Sequence, residues 1–207
     1  MPVVVTDRSL LWNTRRKLLG NLIPAVFGVP IGVYGILEIA RTFQFLGKGI
    51  WFLAASVMVM WLLVNVTSGL ENPKLKRELA LRLKAKGVDL GDHSVFVGFA
   101  RPSFNGLLDP HEDIGFIVQE PEQVRYVGEQ IDLCLTRSEI KEIRFRSNSH
   151  SMAFLGRWIS IEGVSDAKPV RMLIEPRERR TMTGNRRYGR KLQQSLQEWL
   201  KKEKAQA

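Results

Sequence analysis

Two long runs of uncharged, mostly apolar residues near the start of the chain constrain its fold more than any other feature. Residues 18–39 read LLGNLIPAVFGVPIGVYGILEI, free of charge until Glu38, and residues 50–70 read IWFLAASVMVMWLLVNVTSGL, with no charge at all. As helices these runs extend roughly 30 Å each at 1.5 Å per residue, enough to cross the hydrocarbon of a bilayer. The rest of a 207-residue chain is too short to bury both in a soluble core. Pro24 and Pro30 imply a kink in the first run, which a bilayer helix tolerates when neighbours satisfy the freed carbonyls. The first run also exceeds a signal peptide's apolar core and is followed by no Ala-x-Ala-like site, so a retained signal-anchor is expected.

Charge placement gives the expected topology. Arg15, Arg16 and Lys17 precede the first run, Lys74, Lys76 and Arg77 follow the second, and the intervening loop holds only Arg41 and Lys48. Two spans put both termini on one side, and the positive-inside rule assigns that side to the cytoplasm of a bacterial-type inner membrane. Phe43, Phe45 and Trp51 fall where the outer interface is expected, and Trp12 where the chain enters the bilayer. Four regions follow: a cytoplasmic segment 1–17, a transmembrane hairpin 18–70, a basic amphipathic connector 71–91, and a cytoplasmic domain 92–207.

In an antiparallel hairpin of equal rise, residue i of the first helix lies level with residue 88 minus i of the second. Gly20 then meets the level of Ser68, Asn21 that of Thr67 and Gly32 that of Ser56, while Gly20, Pro24, Gly28 and Gly32 recur every fourth residue. Such a row is similar to the small-xxx-small pattern that lets helix backbones approach in lipid. Asn21 and Asn65 share the inner leaflet. An amide hydrogen bond between the helices is the structural reading and an ion or substrate path the functional one, and neither helix carries a central acid or base.

Past Asn72-Pro73, residues 75–92 carry Leu75, Leu79 and Leu83 at helical spacing, with Gly87 as a stop signal. Lys76, Arg82, Lys84 and Lys86 on this helix are candidates for anionic headgroup contact. The periodicity then changes to short β-type runs at 93–100, 114–119, 123–127, 130–136, 140–146, 157–161 and 170–174. Turn signals separate them, among them Asn105-Gly106, Glu120-Pro121, Gly128, Asn148 and Gly163. An arginine-rich stretch follows Pro176, then a helix over 188–202 with Leu192, Leu196, Trp199 and Leu200 on its apolar face. Cys134, the single cysteine, cannot form an intramolecular disulfide and is expected as a small buried hydrophobe in a strand.

The expected fold class is therefore α+β: two transmembrane helices, then seven antiparallel strands and a C-terminal helix. Residues 121–145, PEQVRYVGEQIDLCLTRSEIKEIRF, and the C-terminal LQQSLQEWL give residues 95–200 a pattern that resembles the pleckstrin-homology superfamily in its bacterial, GRAM-like form. The resemblance implies a barrel-like β-sandwich that binds lipids, peptides or proteins and lacks catalysis. One departure matters. Where lipid-binding members carry several cations between the first two strands, residues 101–113 read RPSFNGLLDPHED, with one arginine against Asp109, Glu112 and Asp113, so phosphoinositide capture is not expected there.

Chemistry-bearing motifs are sparse. His111, Glu112 and Asp113 could ligate a metal, but the residue four after His111 is Gly115 rather than a second histidine, and a polar hairpin tip is the competing reading. There is no Gly-x-Ser-x-Gly elbow, and Ser147, Ser149 and Ser151 around His150 read as a polar loop. Gly47-Lys48-Gly49 lacks phosphate-loop spacing. The densest charge feature is Arg177, Arg179, Arg180, Arg186, Arg187 and Arg190, read either as a solvated linker or as a contact for anionic lipid or an acidic partner. Nucleic acid is disfavoured because no aromatic residues are interleaved there for base stacking, although the net charge of +10 would attract it. The leading expectation is a membrane-anchored binding or scaffolding module without a cofactor, which recruits a protein partner or senses the membrane surface and can homo-oligomerise. A transporter or channel subunit and a metal-dependent enzyme built on the His111 region are the alternatives.

Overall fold

The computed structural model describes residues 10–91, 93–104 and 109–204, with the side chains of Asn21, Ser149, Lys202, Glu203 and Lys204 outside that description. The expected Asn105-Gly106 turn also lies outside it. Two helices, α1 (Thr14–Thr42) and α2 (Lys48–Leu70), form an antiparallel hairpin. Both are long and apolar enough to cross a membrane. Asn13 caps α1 by accepting the Arg16 amide at 3.1 Å, and Phe43 ends it in a left-handed conformation at φ 53°. Two prolines lie inside α1.

Helix α3 (Asn72–Ala85) follows after one residue, with Pro73 in its first turn, where a missing N–H costs nothing. The sheet contains β1 (Ser94–Ala100), β2 (Asp113–Gln119), β3 (Gln123–Gly128), β4 (Asp132–Thr136), β5 (Ile140–Arg146), β6 (Trp158–Ser165) and β7 (Lys168–Pro176). A short helix α4 (Ser149–Met152) interrupts β5 and β6, and α5 (Met182–Lys204) closes the fold. All pairings are antiparallel in the order β4-β3-β2-β1-β7-β6-β5, leaving β4 and β5 as the edges. The domain is thus one open sheet rather than a closed barrel.

One face of that sheet surrounds the main core. Val97, Phe99, Ile117, Tyr126, Leu135, Ile143, Ile161 and Ile174, drawn from all seven strands, pack with Leu192, Leu196 and Trp199 of α5. Helix α5 therefore fills the gap between the edges. Its Gln197 donates to Ile143 O on β5 at 2.7 Å, and Trp199 Nε1 donates to Pro121 O beyond β2 at 3.1 Å. It starts at Met182 rather than near residue 188, because Asn65 and Thr181 satisfy the first turn: Asn65 Oδ1 accepts from Thr183 N at 2.9 Å and Thr181 Oγ1 from Gly184 N at 3.1 Å.

A second core covers the opposite face of β1, β2 and β3, where Phe96, Ile114, Phe116 and Val127 meet Leu75, Leu79 and Leu83 of α3 together with Leu11 and Trp12. Each of the three leucines is at most 3% exposed, so their burial stabilises the contact by about 1.5–3 kcal/mol apiece. The apolar face of α3 is spent on the sheet, not on a bilayer. Cys134 is exposed on β4, contrary to expectation, because Leu133 and Leu135 take the inward positions.

Candidate functional site

The hairpin packs tightly at one end and parts at the other. A Cβ at Gly28 would collide with Met60, one at Gly32 would lie 2.9 Å from Ser56 Oγ, and Ser56 Oγ donates to Gly28 O at 2.7 Å. Gly35 and Gly49 approach equally closely, a Cβ on Gly35 falling 2.8 Å from Gly49 O. Gly20 meets nothing within 4 Å. The helices separate toward the sheet domain, and the wedge between them opens into a cavity of about 1310 Å³.

Helices α1, α2 and α3, the segment before α1 and the sheet domain line this cavity. Leu19, Gly20 and Ile23 come from α1, and Val57, Met60, Trp61, Val64 and Thr67 from α2. The sheet domain supplies Asp109, His150 and Arg177, and residues 152–155 close one side. That last segment is held against α2 by a hydrogen bond from Trp61 Nε1 to Ala153 O at 2.8 Å. Phe154 has φ 58°, a conformation unusual for a bulky residue, and together with Met152 it is exposed, at 71% and 88%.

The cavity floor is a buried polar cluster. Arg177, 8% exposed, donates from Nε to Asn72 Oδ1 at 3.0 Å and from an Nη to Ser68 O at 3.2 Å, and its guanidinium lies 4.2 Å from the Trp12 ring centre. His111, 2% exposed, fits because residue 98 is glycine; a Cβ there would strike the imidazole. Its Nδ1 is 2.7 Å from Asp109 Oδ1. Its Nε2 lies 3.2 Å from Glu175 Oε2, within ion-pair distance. The same Glu175 oxygen accepts from Asn148 at 3.0 Å and contacts His150 Nδ1 at 3.1 Å. Trp12 and Trp158 meet the His111 ring edge-on, and Trp12 Nε1 donates to His111 O at 3.3 Å.

Electrostatics in this cluster set burial against pairing. Burial alone would lower the His111 pKa, yet Asp109 and Glu175 together raise it above its ordinary value. Burial would raise Glu175, but His150 and His111 hold it well below the usual carboxylate range. Asp109 is lowered against its burial by His111 and then Arg177. Burial lowers Arg177 despite the attraction of Asp109 and Glu175. The arrangement is an imidazole held between two carboxylates, with two indoles edge-on to its ring.

His111 is therefore buried and not a hairpin tip. Its sequence neighbours point elsewhere: Glu112 pairs with exposed Arg101, while Asp113 accepts the amides of Ile114, Gln130 and Ile131 at 2.9, 3.2 and 3.1 Å and orders the β3–β4 turn. Burial pushes Asp113 up to about 6. Among the described residues no group of three or more His, Cys, Asp or Glu is placed to hold a metal ion.

The arginine-rich stretch is not a uniform linker. Arg177 is buried as described, the Arg179 carbonyl accepts from Asn72 Nδ2 at 2.9 Å, and the Arg180 carbonyl packs where only a glycine, Gly69, leaves room. Asn65 Oδ1 accepts the Thr183 amide at 2.9 Å, so its oxygen serves the start of α5. Arg186 donates to Phe154 O. Arg179, Arg180, Arg187 and Lys191 line a smaller groove of about 420 Å³ with Tyr188, and Arg190 is exposed beyond it. On α3, Lys76 pairs with Glu178 at 2.7 Å and Arg82 with Glu129 at 2.9 Å, while Lys84 and Lys86 are exposed.

Sequence reasoning missed Trp12, Asn72, Asp109 and Glu175. The signal available for Trp12 and Asn72 was their position next to the apolar runs; nothing local marked the other two. No protein-family model matches the chain, and comparison with curated proteins gives no match.

Proposed function

We propose that this chain is a membrane-anchored, non-catalytic binding module. Its hairpin crosses the inner membrane with both termini cytoplasmic, and its pleckstrin-homology-like domain is fixed on the cytoplasmic surface, where it senses that surface or recruits a protein partner. The reading rests most heavily on the contact between Trp61 and Ala153. Trp61 lies nine residues, about 14 Å, inside the apolar end of α2, so the 149–156 segment with exposed Met152 and Phe154 reaches hydrocarbon depth.

Further support comes from exposure. Phe27, Leu37, Val57 and Trp51 are 60%, 62%, 64% and 73% exposed, which suits lipid and not water. Phe43, Phe45 and Leu46 crowd the hairpin loop, as an interfacial belt would. The Arg180 and Arg187 groove sits beside the end of α2, where headgroups begin. The meander order of the sheet and the helix between its edges suit the pleckstrin-homology likeness. A binding role is favoured over catalysis because His111 is buried and its two carboxylate neighbours are engaged with it.

Alkaline carbonate extraction of native membranes, combined with reporters fused at each end, tests this reading. Retention in the pellet with both ends cytoplasmic is expected. Release into the supernatant, or a periplasmic C-terminus, would overturn it.

A further inference from the structure

The wedge-shaped cavity has the polarity of an amphiphile. Its deep wall, Ile23, Val57, Met60, Trp61 and Val64, is apolar, and its mouth carries Arg15, Arg16, Lys17, Arg82 and Arg177 against the carboxylates of Glu71, Glu78 and Asp109. Glu129 also pairs with Arg82 at 2.9 Å, and Glu175 attracts Arg177. Arg16 is paired with Glu71 at 3.2 Å, Arg82 with Glu78 at 3.3 Å, and Asp109 with His111. Arg177 donates to the neutral acceptors Asn72 and Ser68 and is attracted by Asp109 and Glu175. Arg15 is exposed at the mouth.

Dimensions agree with one occupant. From Val57 to Leu70 the lining of α2 rises about 20 Å, close to the depth of one leaflet with its headgroups. A peptide entering from the cytoplasm would meet an apolar wall with no backbone acceptors on offer, since α1 and α2 satisfy their own. A lipid already in the leaflet reaches the same wall laterally, between helices that part from Gly28 toward Gly20.

On the membrane-anchored reading above, we propose that the cavity holds one anionic phospholipid, its acyl chain between α1 and α2 and its phosphate at Arg15 and Arg177. The bound lipid wedges the hairpin open and runs its acyl chain past the 149–156 segment, which Trp61 holds at the deep wall, and this makes the module responsive to the lipid composition of its own leaflet.

The test is native mass spectrometry of the full chain released from nanodiscs of equal phosphatidylglycerol and phosphatidylcholine. Retention of one phosphatidylglycerol per chain is expected, preferred over phosphatidylcholine by about fivefold or more, with the preference lost in Arg15→Gln. Gly20→Phe, whose new side chain enters open space in the cavity, should lower retention by about tenfold. Val57→Trp, from the facing wall, should do the same, so that a folding failure in one variant leaves the other to decide. Equal retention in wild type and both variants, no preference between the two lipids, or capture of a peptide in place of lipid would overturn the site. A carbonate-resistant chain carrying no lipid overturns the site alone; a carbonate-extracted chain overturns the membrane reading with it.

Discussion

At the scale of single residues, the buried charges of the cluster decide both stability and its pH dependence. Arg177 joins the end of α2, the start of α3 and the Trp12 ring in one side chain. Arg177→Ala leaves those acceptors and the neighbouring carboxylates uncompensated, so a loss of about 3–5 kcal/mol is expected. Arg177→Lys should recover little of it, since one ammonium cannot reproduce the planar donor set. Thermal unfolding in detergent reads both. His111, raised above its ordinary 6.5, contributes stability that is complete below that value and lost as pH climbs through its folded pKa. Glu175 and Asp109, lowered from 4.5 and 3.8, contribute stability present above those values and lost on acidification. The stability difference between wild type and His111→Gln should therefore peak between about pH 4.5 and 6.5; the His150 ring and the Arg177 guanidinium also face the imidazole. A difference that stays flat from pH 4 to 8 would contradict the paired imidazolium. Taking this difference also cancels Asp113, which works oppositely: raised to about 6, it weakens the fold as pH rises from 3.8.

At the scale of elements, the hairpin depends on small residues at one end only. Gly28→Ala places a methyl against Met60, and a destabilisation of about 1–3 kcal/mol is expected, with Met60→Ala in the same chain relieving part of it. Unfolding of the two single variants and the double variant checks this; strict additivity would deny the contact. Most of the elements were legible in the sequence. The strand boundaries fall within a few residues of those set by apolar alternation and turn residues, with β5 at 140–146 in both, because each strand alternates between one core and its opposite face. The level pairing of Gly32 with Ser56 also follows from equal helical rise alone. The alternation that located β4 also placed Cys134 outward, and the expected burial misjudged it by residue type instead of by parity. Helix α3 was legible as amphipathic, but its spacing could not say whether a bilayer or the sheet would cover Leu75, Leu79 and Leu83.

At the scale of the whole molecule, the sheet domain is bolted to the hairpin and not tethered to it. Asn65, Ser68, Gly69 and Asn72 at the end of α2 receive the stretch 177–183, and Glu129 accepts the amides of Leu11 and Trp12 at 2.7–3.2 Å. These contacts span about a hundred residues of sequence, which is why the candidate site was nearly illegible beforehand. Periodicity reports local structure, whereas Asp109, His111, Glu175 and Arg177 become neighbours only when β1, β2 and β7 pair. On the proposed membrane-anchored reading, a domain held in this way cannot swing clear of the bilayer, and the 149–156 segment lies where α2 puts it. The direct measurement is depth in reconstituted liposomes. A fluorophore on Phe154→Cys, in a chain whose Cys134 is replaced by serine, is compared with the same fluorophore on native Cys134, using lipids that carry a quenching nitroxide near the headgroup and along the acyl chain. Strong quenching at position 154 with little at 134 is the expected result; equal, water-like exposure of the two positions would contradict the account.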